Sequence, residues 1–155
     1  MHLKEIMLHP EEYPTRDYYP FNHKIFHLTK RIVFRSPVTF FVGENGSGKS
    51  TLMRAIAHRC CIHIWRDTDR VHLDANPYEE FLYRYISAEW SDGEVPGSFF
   101  SSDLFAHFAQ NLDEWAASDP EMLRYFGGKS LVAQSHGQSL MSYFCSRYQL
   151  RGLYL

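Results

Sequence analysis

The segment VGENGSGKST at residues 42–51 constrains this chain more than any other, because it fits one local geometry and one chemistry. Gly43, Gly48, Lys49 and Ser50 fill the pattern GxxxxGK[ST]. In such a loop the backbone N–H groups cradle nucleotide phosphates, the lysine reaches the β- and γ-oxygens, and the serine hydroxyl holds Mg²⁺. Glu44, Asn45, Gly46, Ser47 and Thr51 complete the loop, so residues 43–51 together are the candidate ATP contacts. Lys49 is the candidate catalytic cation and Ser50 the candidate Mg²⁺ ligand.

The motif needs a strand before it and a helix after it. Val38, Thr39, Phe40, Phe41 and Val42 form a short β-branched and aromatic run after Ser36 and Pro37, which predicts a strand buried on both faces. Beyond the loop, Leu52, Met53, Ile56, Ala57 and Cys60 recur at helical spacing, with Arg54, His58 and Arg59 on the opposite face. A helix opening at the phosphates would aim its free amides and its positive dipole end at the anion.

Composition bounds the remaining possibilities. The 155 residues suffice for one core, and 45% hydrophobic with 16% aromatic residues excludes a disordered chain. No apolar run approaches the roughly 20 residues that span a bilayer. The start, MHLKEIMLHPEEYP, lacks a signal peptide's apolar core, so the expected location is the cytoplasm and no membrane partner is expected. A net charge of −2 gives no electrostatic indication of nucleic acid, and Lys30, Arg31 and Arg35 read as a small solvated patch. Three cysteines, two of them adjacent at Cys60 and Cys61 and one alone at Cys145, fit a reducing compartment.

Three other patterns invite over-reading. His58, Cys60, Cys61 and His63 crowd the end of the loop helix, but adjacent helical positions point apart, so a packed helix end is expected rather than a metal centre. Gly128, Lys129 and Ser130 repeat the GKS ending, yet Leu123 stands where the opening glycine belongs. Val71, His72, Leu73 and Asp74 resemble a strand ending in a Mg²⁺-binding acid, interrupted by His72.

From residue 76 the sequence predicts mainly helix. Asn76, Pro77 and Glu79 supply an N-cap, a first-turn proline and a capping-box acid ahead of Phe81, Leu82, Tyr85 and Ile86. Residues 91–97 form a turn-rich break. Ser102 or Asp103 then caps a second helix carrying Leu104, Phe105, Phe108, Leu112 and Trp115 as core, and Asp119 with Pro120 opens a third, short one.

Ser135, His136, Gly137 and Gln138 precede a helical pattern of Leu140, Met141, Phe144, Cys145 and Tyr148. Here the chain resembles an ABC-class ATPase, in which a signature of the type SGGQ at a helix N-terminus contacts the γ-phosphate held by a partner subunit. SHGQ keeps the serine, the second glycine and the glutamine; read without the resemblance, it is a helix cap. The wider pattern, FFVGENGSGKSTL with GGKSLVAQSHGQS and GLYL, is similar to a group of small bacterial AAA/ABC-type ATPases over about residues 18–155. The resemblance implies an α/β P-loop NTPase with an ABC-ATPase-like sheet and a helical subdomain. Residues 1–155 would be one portion of such a domain: about 18–75 the nucleotide-binding core, about 76–134 the mainly helical subdomain, and 135–155 the signature helix and the start of the Walker B strand. It also implies ATP and Mg²⁺ as cofactors and, in the complete protein, ATP hydrolysis and an ATP-dependent homodimer in which Ser135 acts in trans with Gly137 and Gln138. The interval from Lys49 to Ser135 leaves no space for a long coiled-coil arm, which argues against the SMC-like DNA-repair ATPases.

The family pattern also exposes what this sequence lacks. Hydrolysis needs a Mg²⁺-holding Asp and a water-positioning carboxylate at a buried strand end. Gly152 reads as a helix C-cap and Leu153, Tyr154 and Leu155 as the first residues of that strand, with no Asp or Glu after them. The expectation is an incomplete ATPase domain whose 155 residues alone are aggregation-prone and without turnover; if turnover occurs, Asp74, Glu89 and Asp103 are the acids to test. No glutamine lies between Tyr85 and Asp103 to sense Mg²⁺, which leaves Ser98 or Ser101 as stand-ins. Tyr18, Tyr19 and Phe21 are candidates for an aromatic that stacks on the base. Two alternatives stay open: a small-molecule kinase using Asp74 to hold the acceptor, for which Arg124 and Arg147 form no obvious lid and which leaves SHGQ unexplained, and a nucleotide-binding regulator without turnover.

Overall fold

In the computed structural model, residues 2–64 and 76–155 are described. The chain opens on β1 (Leu3–Leu8), which becomes the centre of an antiparallel sheet between β2 (Arg31–Val33) and β3 (Ile86–Trp90), in the order β2-β1-β3. Glu5 faces Val33, and Leu8 faces Ile86. A register irregularity between Leu3 and Glu5 turns both Glu5 and Ile6 inward. The buried Glu5 carboxylate accepts a hydrogen bond from Arg31 Nη2 at 2.6 Å, so β2 supplies the cation that this acid requires.

The helix α1 (Lys24–Leu28) and the loop helix α2 (Lys49–Arg59) pack on this sheet. Leu52, Ala55, Ile56 and Ala57 form the buried face of α2 and meet Leu3, Ile6, Phe21, Phe26, Leu82 and Ile86. A second core joins α3 (Ser102–Ser118), the 3-10 segment Pro120–Phe126 and α4 (His136–Arg147). Its centre is Tyr143, whose ring lies 5.6 Å from Phe105, 5.4 Å from Phe108 and 6.2 Å from Phe126. Two short parallel strands, β4 (Gly97–Ser98) and β5 (Leu153–Tyr154), pair Gly97 with Leu153 and Ser98 with Tyr154.

Four local expectations are corrected. No strand forms over residues 38–42: Val38, Phe40 and Val42 are 64%, 84% and 91% exposed, while Phe41 leans on the first core. The alternation of a strand is there, but a strand is held by a neighbour's backbone. Across from Thr39 and Phe41 stands the segment 150–155, separated from them by a cleft of about 380 Å³. Second, the segment after Asn76 is not a helix. The Asn76 side chain accepts from Tyr78 N at 3.0 Å, a 3-10 turn spans Phe81–Tyr85, and Ile86 begins β3 because β1 offers a ladder there. Third, α3 starts at Ser102 with Ser101 as its cap, and Trp115 lies exposed while Ala109 and Ala116 take the inner positions. Fourth, Gly152 does not cap α4, which ends at Arg147 with Tyr148 as its cap. A Cβ at Gly152 would sit 2.6 Å from the Pro96 carbonyl oxygen, so this glycine lets two backbones meet at the β4–β5 pair.

The three cysteines differ sharply. Cys60 is buried, and burial first, with Cys61 beside it, pushes its thiol up to about 11, whereas Cys61 and Cys145 are exposed. A thiol-specific chromogenic reagent at neutral pH is expected to label Cys61 and Cys145 quickly and Cys60 only when denaturant opens the core; equal labelling of all three in the folded chain would contradict this packing.

Candidate nucleotide-binding site

The helix required by the loop motif is present where the sequence places it. Gly48 adopts φ +90° and α2 begins at the next residue, Lys49. The first bond of the helix runs from Leu52 N to Gly48 O at 2.9 Å, so the amides of Lys49, Ser50 and Thr51 have no carbonyl partner within the helix. The first turn carries no acid, and His58 and Arg59 sit in the last turn, which leaves the positive end of the dipole uncompensated at the loop.

Residues 43–47 fold over that helix end. Lys49 Nζ donates to the carbonyls of Gly43 at 2.8 Å and Glu44 at 2.7 Å and to Ser47 Oγ at 3.3 Å. The ammonium therefore stands inside the curl of the loop. Ser47 N closes the turn on Glu44 O at 3.3 Å. Gly46 takes φ +78° at the tip, and Glu44, Asn45 and Gly46 are exposed. Ser50, in the first turn, is exposed as well. A single hydroxyl suits Mg²⁺, which keeps most of its shell as water and phosphate oxygen and takes few protein ligands.

Behind the loop, α1 acts as a buttress. A Cβ at Gly48 would come within 2.8 Å of Phe26 Cζ and 3.1 Å of His23 Cδ2. Phe26 is fixed in turn, since its carbonyl accepts from the Tyr13 hydroxyl at 3.0 Å. Of the aromatics expected near the base, Phe21 is 0% exposed in the core beside Tyr85. Tyr18 faces Tyr78, their ring centres 5.7 Å apart, and Tyr19 hydrogen-bonds Thr51 Oγ1. The central strand β1 lacks a clean alternation, because the inward doublet at Glu5 and Ile6 breaks the period of two.

Ser135 is the N-cap of α4, and its own N–H donates to Gln138 Oε1 at 3.3 Å. Gln138 is thus engaged in capping, and a Cβ at Gly137 would meet nothing within 4 Å. The approach is ordered by Gln134, whose side chain reaches the carbonyls of Lys129 and Ser130 and accepts from Ser142 Oγ. Ser130, the last residue of the GKS repeat, donates to Asp113. Ser135 and Gly137 lie beside the second core, whereas the loop belongs to the first.

The remaining candidates have other partners or lie outside the described residues. Ser98 Oγ is 3.3 Å from the Tyr143 hydroxyl, and Ser101 caps α3. Glu89 pairs with Lys4 on the sheet, and Asp103 is exposed in the first turn of α3. Asp74 and the strand-like residues 71–73 lie outside the described residues. Arg124 pairs with Glu121, and Arg147 sits 5.5 Å from the Phe126 ring. Among the described residues no three His, Cys, Asp or Glu side chains are grouped to hold a metal, and no helix is long and apolar enough to cross a membrane.

Residues 21–61, from the buried Phe21 to just past the end of α2, match a family described as AAA domain. No curated protein and no solved structure gives a match. The family match supports an AAA-type P-loop ATPase-like domain, and the mixed helix and sheet architecture is consistent with an α/β P-loop NTPase fold.

Substituting Gly48 by Ala is expected to be far worse than its size implies, because the methyl group meets the Phe26 ring in a left-handed backbone. The expected result is a loss of about 1–3 kcal/mol in denaturant unfolding. Gly46→Ala, with nothing within 4 Å, should cost less; the reverse order would contradict the buttress.

Proposed function

We propose that this chain binds ATP with Mg²⁺ at residues 43–51 and is the nucleotide-binding part of an ATPase. The observation that carries this reading is the start of α2: a left-handed Gly48, three amides without helical partners, and the Lys49 ammonium standing within the loop. Lys49 would release the Gly43 and Glu44 carbonyls in favour of β- and γ-phosphate oxygens, a charge-assisted exchange. Ser50 would hold the Mg²⁺ that bridges those phosphates, and hydrolysis would add a water held by a carboxylate.

The reading extends to an ATP-dependent pair of subunits. Ser135 and Gly137 would present the N-terminal end of α4 to the γ-phosphate bound by a second copy. What supports this is the capped start of a 12-residue helix, with Gln138 ordering the Ser135 backbone and open space around Gly137.

Lys49→Ala is expected to abolish ATP binding in calorimetric titration while costing about 1 kcal/mol or less in unfolding free energy, since the loop is largely exposed. In the complete protein, Ser135→Arg is expected to leave ATP affinity unchanged and to suppress ATP-induced dimers in sedimentation. Undiminished ATP binding by Lys49→Ala would refute the loop assignment, and undiminished dimers in Ser135→Arg would refute the role in trans.

A further inference from the structure

We propose that Tyr19 is a positioning residue of the nucleotide site, acting through its hydroxyl on Thr51 and so on the phosphates, rather than by stacking on a base. The inference rests on the ATP reading of residues 43–51. Thr51 belongs to the first turn of α2, immediately after Lys49 and Ser50, where amides without helical partners concentrate. The Tyr19 hydroxyl is hydrogen-bonded to Thr51 Oγ1 in a half-buried setting. Tyr19 is itself held, for its carbonyl accepts from Asn76 Nδ2 at 2.5 Å. Its ring centre lies 6.1 Å from that of His23, the residue packed on Gly48. One short segment therefore grips the helix start at two points, His23 at Gly48 and Tyr19 at Thr51.

The protons give this contact a direction. A threonine hydroxyl has one proton, and it serves an anion only if it is not spent on a neighbour. A phenol is the stronger donor of the two, so the pair runs from Tyr19 O–H to Thr51 Oγ1 and leaves the Thr51 proton for a phosphate oxygen. Accepting that bond polarises the threonine hydroxyl and strengthens its own donation. A stacking role fits less well. The cleft bounded by Tyr19, Thr51, Arg54, His58, Glu79 and Glu80 has a volume of about 50 Å³, room for a few waters and not for a base.

The test is a double-mutant cycle in the full chain, read by calorimetric titration with Mg-ATP and with Mg-tripolyphosphate, which has no base. Tyr19→Phe and Thr51→Val are each expected to weaken both ligands by about 5- to 10-fold, the range of one hydrogen bond. The double variant should bind no more weakly than Thr51→Val alone. In a Thr51→Ser background, which keeps the hydroxyl, Tyr19→Phe should still weaken both ligands. The proposal is overturned if Tyr19→Phe binds like the parent, if the two losses add in full, or if ATP weakens while tripolyphosphate does not, the last result pointing to a base contact. Loss of binding in Lys49→Ala with no effect of Tyr19→Phe defeats only this inference. A parent chain that binds neither ligand defeats the ATP reading with it.

Discussion

The contact between α1 and Gly48 organises this molecule. Gly48 has no side chain and a left-handed backbone, and the volume a Cβ would fill lies against the Phe26 and His23 rings. That close approach joins the N-terminal segment to the start of α2, and the rest of the first core extends outward from it. Phe26 is tied by Tyr13, whose hydroxyl is held on the Phe26 carbonyl while its ring meets Phe21, His27 and Tyr85. Burial pushes the Tyr13 phenol up to about 12, so it remains a donor throughout the neutral range. Through Tyr85 and Ile86 the same cluster reaches β3 and hence the central strand β1. A glycine-rich loop at the start of a helix needs such support, because its geometry is fixed by what packs behind it.

The loop and the sheet differ in how legible they were. The loop motif and the helix after it follow from residues 43–60 alone, since glycine spacing and a helical stripe are local properties. Ser135 as a helix start was equally local. The strand expected at 38–42 failed because a ladder depends on a neighbour: Val38, Phe40 and Val42 keep the alternation, yet no described strand pairs with them. Ile86 went the other way, since β1 converts a segment with a helical stripe into an edge strand. The irregularity of β1 at Glu5 hides its alternation, and its buried acid is explained by Arg31 of β2 beside it.

Among these residues, local signals marked the helix starts after Gly48 and Ser135, and packing decided where the others lie. Tyr18, Tyr19 and Phe21 are adjacent aromatics with equal claims in the sequence, but the fold sends Phe21 into the core, Tyr18 to Tyr78 and Tyr19 to Thr51. Gly152 shows the same division. After a helical stripe a glycine reads as a C-cap, while what requires it here, the Pro96 carbonyl, lies far away in sequence.

Amide hydrogen exchange measured with and without Mg-ATP tests the central claim most directly. The account predicts that ATP slows exchange across residues 43–51, with the first turn of α2 most affected, and that the Lys49→Ala chain shows no such slowing. Protection confined to other segments, or none at 43–51 while ATP is bound, would contradict it.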